Sequence, residues 1–216
     1  SQPGEARSTF LTERGLDPAA PTVALLPGSR RNELERIVPV VSAALPIIRA
    51  RVPNAQFVVA CAPNLPDALF SRLVNDQPDA RLVLVRDRTD DVLAASDVVI
   101  TASGTATIQC VLHERPMVVV YRVSPLTYRL GKAFLKGDTF AMPNLVAGRR
   151  GVPELIQDDF TPETTAAEAL ALLTDPARHA AMRDALADVR QQLGPPGASG
   201  RAAEAVLEVI TTTGLG

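Results

Sequence analysis

The residues that could bind an anionic ligand first occur in a short loop, Leu26-Pro27-Gly28-Ser29-Arg30, directly after the apolar run TVALL. Gly28 permits a sharp turn and lets the backbone approach a ligand closely. Ser29 and Arg30 add a hydroxyl and a guanidinium, and a guanidinium can bind two phosphate oxygens at once. The spacing and the lysine of a Walker loop are absent. Alone, the loop fits an ordinary strand-to-helix turn with a solvated arginine equally well.

A second loop of small hydroxyl residues and glycine, Ala102 to Thr107, follows the apolar run Val98 to Thr101. Ser103, Gly104 and Thr105 stand where a helix would begin, and the free N–H groups and the dipole of a helix start favour a diphosphate. A plain serine cap on a buried helix is the alternative interpretation. Two such loops at neighbouring strand ends favour anion binding.

Two later segments carry groups that suit a lipid or a sugar. Tyr121 to Lys136 mixes basic and apolar residues, which suits an anionic membrane surface or an acyl-chain substrate. A surface helix with one face in the core is the favoured interpretation of that segment. The loop Met142 to Arg150 holds Asn144, Gly148 and Arg149, which suit sugar and phosphate recognition, although a structured connector has the same composition.

The elements that must position these loops alternate between apolar runs and helical stretches. This alternation predicts an α/β fold, a Rossmann-like parallel sheet with helices on both faces. The runs lack polar alternation, as is typical of strands buried on both faces. Ligands bind beyond the carboxyl ends of such strands, where both loops fall. The predicted strands are Thr22 to Leu26, Gln56 to Cys61, Arg81 to Val85, Val98 to Thr101 and Met117 to Tyr121.

The helical pattern gives the domain organisation. In the stretch Glu33 to Arg51, two prolines predict a kink or a break. After about Pro153 the pattern predicts helices only, as a helical carboxy-terminal extension. Residues 1–21 are predicted to be a linker with a short helix, and residues 22–216 a single domain. The other predicted helices are Leu65 to Asn75, Asp90 to Ala95, Thr105 to His113, two that start at Thr161-Pro162 and Asp175-Pro176, and Arg201 to Ile210.

Composition and charge exclude several classes of protein. The chain has 216 residues, 46% of them hydrophobic and 21% charged, which is typical of a globular fold. A net charge of -2 gives no general attraction to nucleic acid. Cys61 and Cys110 lack metal-ligand or CxxC spacing, so we expect buried, reduced thiols in a cytoplasmic protein without a signal peptide. No Ser-His-Asp or Cys-His grouping and no convincing catalytic base are evident.

Three runs, in this order along the chain, resemble the lipid-A-disaccharide synthase family: LLPGSRRNELERI, ASGTATIQCVLHERPMVVVYRVSPLTY and MPNLVAGRRGVPELIQ. The resemblance extends from about Val23 to Ile210. It implies the GT-B architecture, in which two Rossmann-like domains face a cleft, and it makes this chain the carboxy-terminal, donor-binding half.

The resemblance also implies an activity. The enzyme would transfer 2,3-diacylglucosamine from its UDP donor to 2,3-diacylglucosamine 1-phosphate, giving lipid A disaccharide 1-phosphate and UDP. The anomeric centre would be inverted, with no metal and no cofactor. The location would be the cytoplasm, with peripheral contact to the inner face of the bacterial inner membrane through Tyr121 to Lys136.

By the same resemblance, Arg30 would face the donor diphosphate and stabilise the leaving UDP. One departure concerns the ribose, because the family usually has Glu where this chain has Gln109. Gln can still donate and accept a hydrogen bond but loses the charge-assisted one. The implied substrate-binding residues are Gly28, Ser29, Arg30, Ser103, Gly104, Thr105, Gln109, Tyr121, Arg122, Asn144, Gly148 and Arg149.

The family's amino-terminal domain, with the acceptor site and the base, has no counterpart in residues 1–21. Because the sequence begins with Ser1 instead of Met, we expect a processed or truncated chain that binds UDP weakly and transfers nothing. One alternative is the donor domain of another GT-B enzyme of UDP-N-acetylglucosamine, such as a cell-wall glucosaminyltransferase or an epimerase. Another is a non-catalytic nucleotide-binding module.

Overall fold

The computed structural model describes residues 3–75, 81–123, 141–147 and 151–194. They form a six-stranded parallel sheet with the strand order β3-β2-β1-β4-β5-β6. The strands are β1 (Thr22–Leu26), β2 (Gln56–Cys61), β3 (Leu82–Arg86), β4 (Val98–Ala102), β5 (Met117–Tyr121) and β6 (Glu154–Ile156). The helices are α1 (Pro3–Thr12), α2 (Arg31–Arg51), α3 (Ser71–Asn75), α4 (Thr89–Ala95), α5 (Thr105–Leu112), α6 (Met142–Ala147), α7 (Pro162–Thr174) and α8 (Pro176–Leu193).

The sheet confirms the predicted Rossmann-like α/β fold. Every residue of β1, β2 and β4 is buried, as continuous apolar runs predict. The chain moves outward from β1 to β3, crosses back to β4, and then builds the other half of the sheet. On one face α2 packs against α3 and α7, and on the other α4 packs against α1 and α5, with α8 beside α5.

The prediction that strands end after about Pro153 is wrong. Glu154–Ile156 forms β6, which pairs in parallel with β5 through Val120 and Leu155. Three residues with one buried side chain give no recognisable period in the sequence. The strand exists because the edge of β5 offers it hydrogen-bond partners.

The prolines do not split α2, since a single helix contains both Pro39 and Pro46, and the predicted kink stays a prediction. Each interior proline costs about 3 kcal/mol. Against this, α2 buries a row of apolar side chains, each worth roughly 1.5–3 kcal/mol. These side chains are Leu34, Ile37, Val38, Val40, Val41, Leu45 and Ile48. Tertiary packing therefore outweighs the local cost of the prolines.

The amino-terminal segment is part of the domain, which corrects its prediction as a linker. In α1, Phe10 and Leu11 are buried and contribute to the same core as the sheet. Arg7 donates to both carboxylate oxygens of Asp97, at 3.1 and 2.9 Å, and also to the carbonyl of Ala20 at 3.3 Å. These contacts fix α1 against the amino-terminal end of the sheet.

The remaining helix predictions have mixed outcomes. The stretch predicted as one helix from Leu65 contains a short 3-10 turn, Asp67–Leu69, before α3. Thr161 and Asp175 cap α7 and α8 with their side chains, as predicted. The predicted last helix lies outside the described residues. Within the part of the chain that the structure describes, no helix is long and apolar enough to cross a membrane.

Candidate functional site

A cleft of about 160 Å³ opens at the carboxyl ends of β1 and β4. These neighbouring strands mark the point where the strand order reverses, which is the usual ligand site of an open α/β sheet. Both predicted loops meet there. Lining residues are Leu26, Gly28, Ser29, Glu33, Ala60, Ala62, Thr89, Ala102, Ser103, Gly104, Thr105, Ala106 and Gln109.

The turn between β1 and α2 requires glycine at position 28. Gly28 has a φ of +122°, which side chains rarely adopt. A Cβ atom there would lie 2.6 Å from Oε2 and 3.0 Å from Cβ of Glu33. Both the backbone conformation and the close approach of Glu33 therefore exclude other residues.

Glu33 is a residue of the site that the sequence interpretation missed. Its Oε2 accepts hydrogen bonds from the backbone N–H groups of Ser29, at 3.1 Å, and Arg30, at 3.2 Å. Its Oε1 accepts from Nη1 of Arg30 at 3.1 Å. An acid three residues after a helix cap is a known capping signal, and here it could have been read from the sequence. Arg30 is not among the lining residues; its side chain is 80% exposed and pairs with Glu33, which does line the cleft.

The start of α5 forms the opposite wall of the cleft. Gly104 is its N-cap with a φ of +150°, and a Cβ atom built there meets nothing within 4 Å, so the wall is open to the cleft. Ser103 N–H donates to Val120 of β5 at 3.0 Å, and Thr107 Oγ1 donates to the Gly104 carbonyl at 2.6 Å. No side chain caps α5 within the described residues, so its first N–H groups are oriented for an acceptor from outside the helix.

Gln109 lies one turn after Thr105 on the same face of α5 and lines the cleft. Its side chain is half-buried. The part of the chain that the structure describes offers its amide no hydrogen-bond partner. The group is therefore available to a polar ligand that enters the cleft beside the two loops after β1 and β4.

Arg122 and Tyr121, at the end of β5, do not line the cleft. Nη2 of Arg122 donates to the backbone carbonyls of Gln157, at 3.0 Å, and Phe160, and the guanidinium lies 5.1 Å from the centre of the Phe160 ring. Gln157 in turn accepts from the N–H of Val123 at 2.8 Å. These bonds join the end of β5 to the segment after β6, so Arg122 stabilises that edge of the sheet.

Asn144 also lies away from the cleft, in α6, where a loop was predicted. It is 2% exposed. Its Oδ1 accepts from the N–H groups of Gly151 and Val152, and its Nδ2 donates to the Val152 carbonyl and to Oε1 of Glu154. The side-chain amide is fully occupied by the connection to β6. Gly148 and Arg149 lie outside the described residues, as does the Tyr121 to Lys136 segment beyond Val123.

The two cysteines are buried and free, as predicted. Burial raises the pKa of Cys61 to about 11 and that of Cys110 to about 12. A thiol with such a pKa carries almost no thiolate near neutral pH and is a poor nucleophile. The described ranges contain no group of three His, Cys, Asp or Glu side chains that could hold a metal ion.

A family model described as lipid-A-disaccharide synthetase matches residues 3–209 of the chain. The chain belongs to this family. The lipid-A-disaccharide synthase of Geobacter metallireducens is 42% identical over 208 residues, covering 96% of this chain and 54% of the relative. The Myxococcus xanthus synthase is 42% identical over 210 residues, with the same coverage. This synthase-family chain thus spans about half the length of the curated relatives it matches.

Solved structures with the same fold are more distant in sequence. The UDP-GlcNAc 2-epimerase of Neisseria meningitidis, bound to UDP-GlcNAc, superposes with a TM-score of 0.66 at 13% identity, covering 94% of the synthase-family chain and 48% of the epimerase. A glycosyltransferase involved in lipopolysaccharide biosynthesis gives a TM-score of 0.56 at 13% identity. The match covers 93% of the synthase-family chain and 50% of the glycosyltransferase. At this identity the likeness concerns the fold alone.

Proposed function

We propose that the cleft between β1 and β4 binds the UDP part of a nucleotide-sugar donor. The observation that carries the proposal is the meeting of two helix starts, those of α2 and α5, at the point where the strand order reverses. The family and the epimerase, whose structure contains UDP-GlcNAc, support a nucleotide sugar over other anions.

Within this cleft each group has a distinct proposed role. The N–H groups at the start of α5, beside Ser103 and Gly104, bind the diphosphate, and the exposed side chain of Arg30, next to the lining residue Ser29, closes on it. As the bond to the sugar breaks, these donors stabilise the negative charge that develops on UDP. Gln109 hydrogen-bonds the ribose hydroxyls through its half-buried amide.

In the full-length synthase, we propose that this domain holds UDP-2,3-diacylglucosamine while the sugar passes to 2,3-diacylglucosamine 1-phosphate. Among the described residues that line the cleft, Glu33 is the only carboxylate, and its oxygens already accept three hydrogen bonds. Because the resemblance to the family places the acceptor site and the base in the other half of the synthase, we assign Glu33 no role as a base.

Three further elements of the proposal follow from the family. The transfer uses no metal or cofactor, and the enzyme works in the cytoplasm. The segment Tyr121 to Lys136 touches the inner face of the inner membrane, since basic and apolar side chains together suit an anionic lipid surface.

Substitution of Arg30 tests the proposed binding of the diphosphate. Arg30→Ala should lower the affinity for UDP about tenfold, because one charge-assisted hydrogen bond is lost, and should leave the affinity for uridine unchanged. Titration calorimetry with both ligands measures the two affinities. Arg31→Ala is the matched control because it removes the neighbouring guanidinium, which is 63% exposed and paired with Glu35. Equal losses for UDP and uridine in Arg30→Ala would refute the diphosphate role.

A further inference from the structure

The turn from Gly28 to Arg30 already contains an anion, the carboxylate of Glu33. Two backbone N–H groups and one guanidinium N–H donate to it, at 3.1 to 3.2 Å. Backbone N–H groups at a helix start together with an arginine are the donors that proteins use for phosphate. Glu33 thus takes the position in this turn that a phosphate oxygen of the donor would take.

These donors cannot serve the carboxylate and a phosphate at the same time. Each backbone N–H has one hydrogen, and both N–H groups are directed at Oε2. A carboxylate in contact with a diphosphate would also repel it, since both carry negative charge. Either the turn binds no phosphate, or Glu33 moves aside when the donor enters.

The surroundings of Glu33 allow such a movement. Its side chain lines the cleft and is 22% exposed, so the carboxylate borders on solvent instead of being enclosed by the core. Gly28, which has no side chain, leaves the space that the carboxylate now fills. The N–H groups of the turn would not be left without an acceptor, because the phosphate that displaces Glu33 replaces its oxygens.

We propose that Glu33 is an internal competitor of the donor, which occupies the phosphate-binding groups of the Gly28–Arg30 turn until a diphosphate displaces it. The proposal rests on the proposed function, since it concerns the same cleft. It also allows the cleft to discriminate between a nucleoside diphosphate and a neutral nucleoside. A diphosphate, with its higher charge, can replace the carboxylate, whereas a neutral nucleoside gains nothing at this turn.

Removal of the charge at position 33 tests the proposal, because a competitor that is removed should raise the affinity for UDP. Glu33→Gln keeps an amide oxygen that can accept from the turn, but it removes the competing charge. We expect UDP to bind about five- to tenfold more tightly to Glu33→Gln, with uridine unchanged, by titration calorimetry. A residue that served only as a helix cap would give unchanged or weaker binding on substitution. Glu35→Gln is the matched control, because Glu35 is an exposed acid of the same helix that does not touch the turn.

A second measurement does not depend on how the variant folds. In the wild-type chain, the ¹³C resonance of the Glu33 carboxylate and the amide resonances of Ser29 and Arg30 should shift with UDP and stay in place with uridine. If the wild-type chain binds UDP while the Glu33 resonance stays in place, the inference about Glu33 fails alone. The same holds if the affinity of Glu33→Gln for UDP is equal to or lower than that of the wild type. Absence of UDP binding in both the wild type and Glu33→Gln would overturn the proposed function as well.

Discussion

Single residues show where sequence interpretation reaches its limit. Gly28 was identified from its place after a strand; the spacing of Glu33 could have indicated a helix cap, but not that Glu33 packs against Gly28 and lines the cleft. Asn144 was assigned to the donor, yet the structure places its amide in a buried connection to β6. Both differences have one physical reason, since a polar side chain suits a ligand and a backbone equally well and only the fold decides between them.

The role of Asn144 in the connection leads to a prediction at this scale. Asn144→Ala leaves the N–H groups of Gly151 and Val152 without their acceptor, and each unsatisfied buried group costs about 1–3 kcal/mol. We expect the free energy of unfolding to fall by about 2–4 kcal/mol, measured by urea denaturation. Leu145→Ala, at a 55% exposed position of the same helix, is the control and should change it little. Similar unfolding curves for the two variants would contradict the assignment.

Secondary-structure elements were predictable where the sequence contains a sufficiently long run of residues with a local pattern. The five longer strands were predicted within one residue of their observed bounds, because continuous apolar runs of that length leave few alternatives. The three-residue β6 was missed because its existence depends on pairing with β5. Whether Pro39 and Pro46 split α2 could not be decided from the sequence, because the compensating contacts are tertiary.

The attachment of α1 was also missed, and it gives a prediction at the scale of the element. Arg7 is a polar link of α1 to the sheet, through Asp97 and the Ala20 carbonyl. Arg7→Ala leaves the partly buried Asp97 carboxylate without its cation, so we expect the chain to lose about 2 kcal/mol of stability. Urea denaturation measures the loss, with Arg31→Ala as the exposed control. A loss no larger than that of the control would show that α1 is held by its apolar contacts alone.

The whole molecule determines the site, and this was the least predictable level. The sequence interpretation placed the two loops at neighbouring strand ends, although each loop alone had an ordinary structural explanation. The strand order places β1 beside β4, so the two helix starts face one cleft. That order depends on long-range pairing, which no local pattern encodes. The general rule for ligand sites in parallel sheets supplied the expectation that the structure then met.

Calorimetry of the wild-type chain with UDP is the most direct test of whether this cleft binds UDP. We expect saturable but weak binding, with a dissociation constant between about 0.01 and 1 mM, because a chain that spans about half the length of its relatives supplies part of the proposed contacts. Circular dichroism should confirm that the fold is intact in the same sample. No heat of binding at millimolar UDP from an intact chain would contradict the claim.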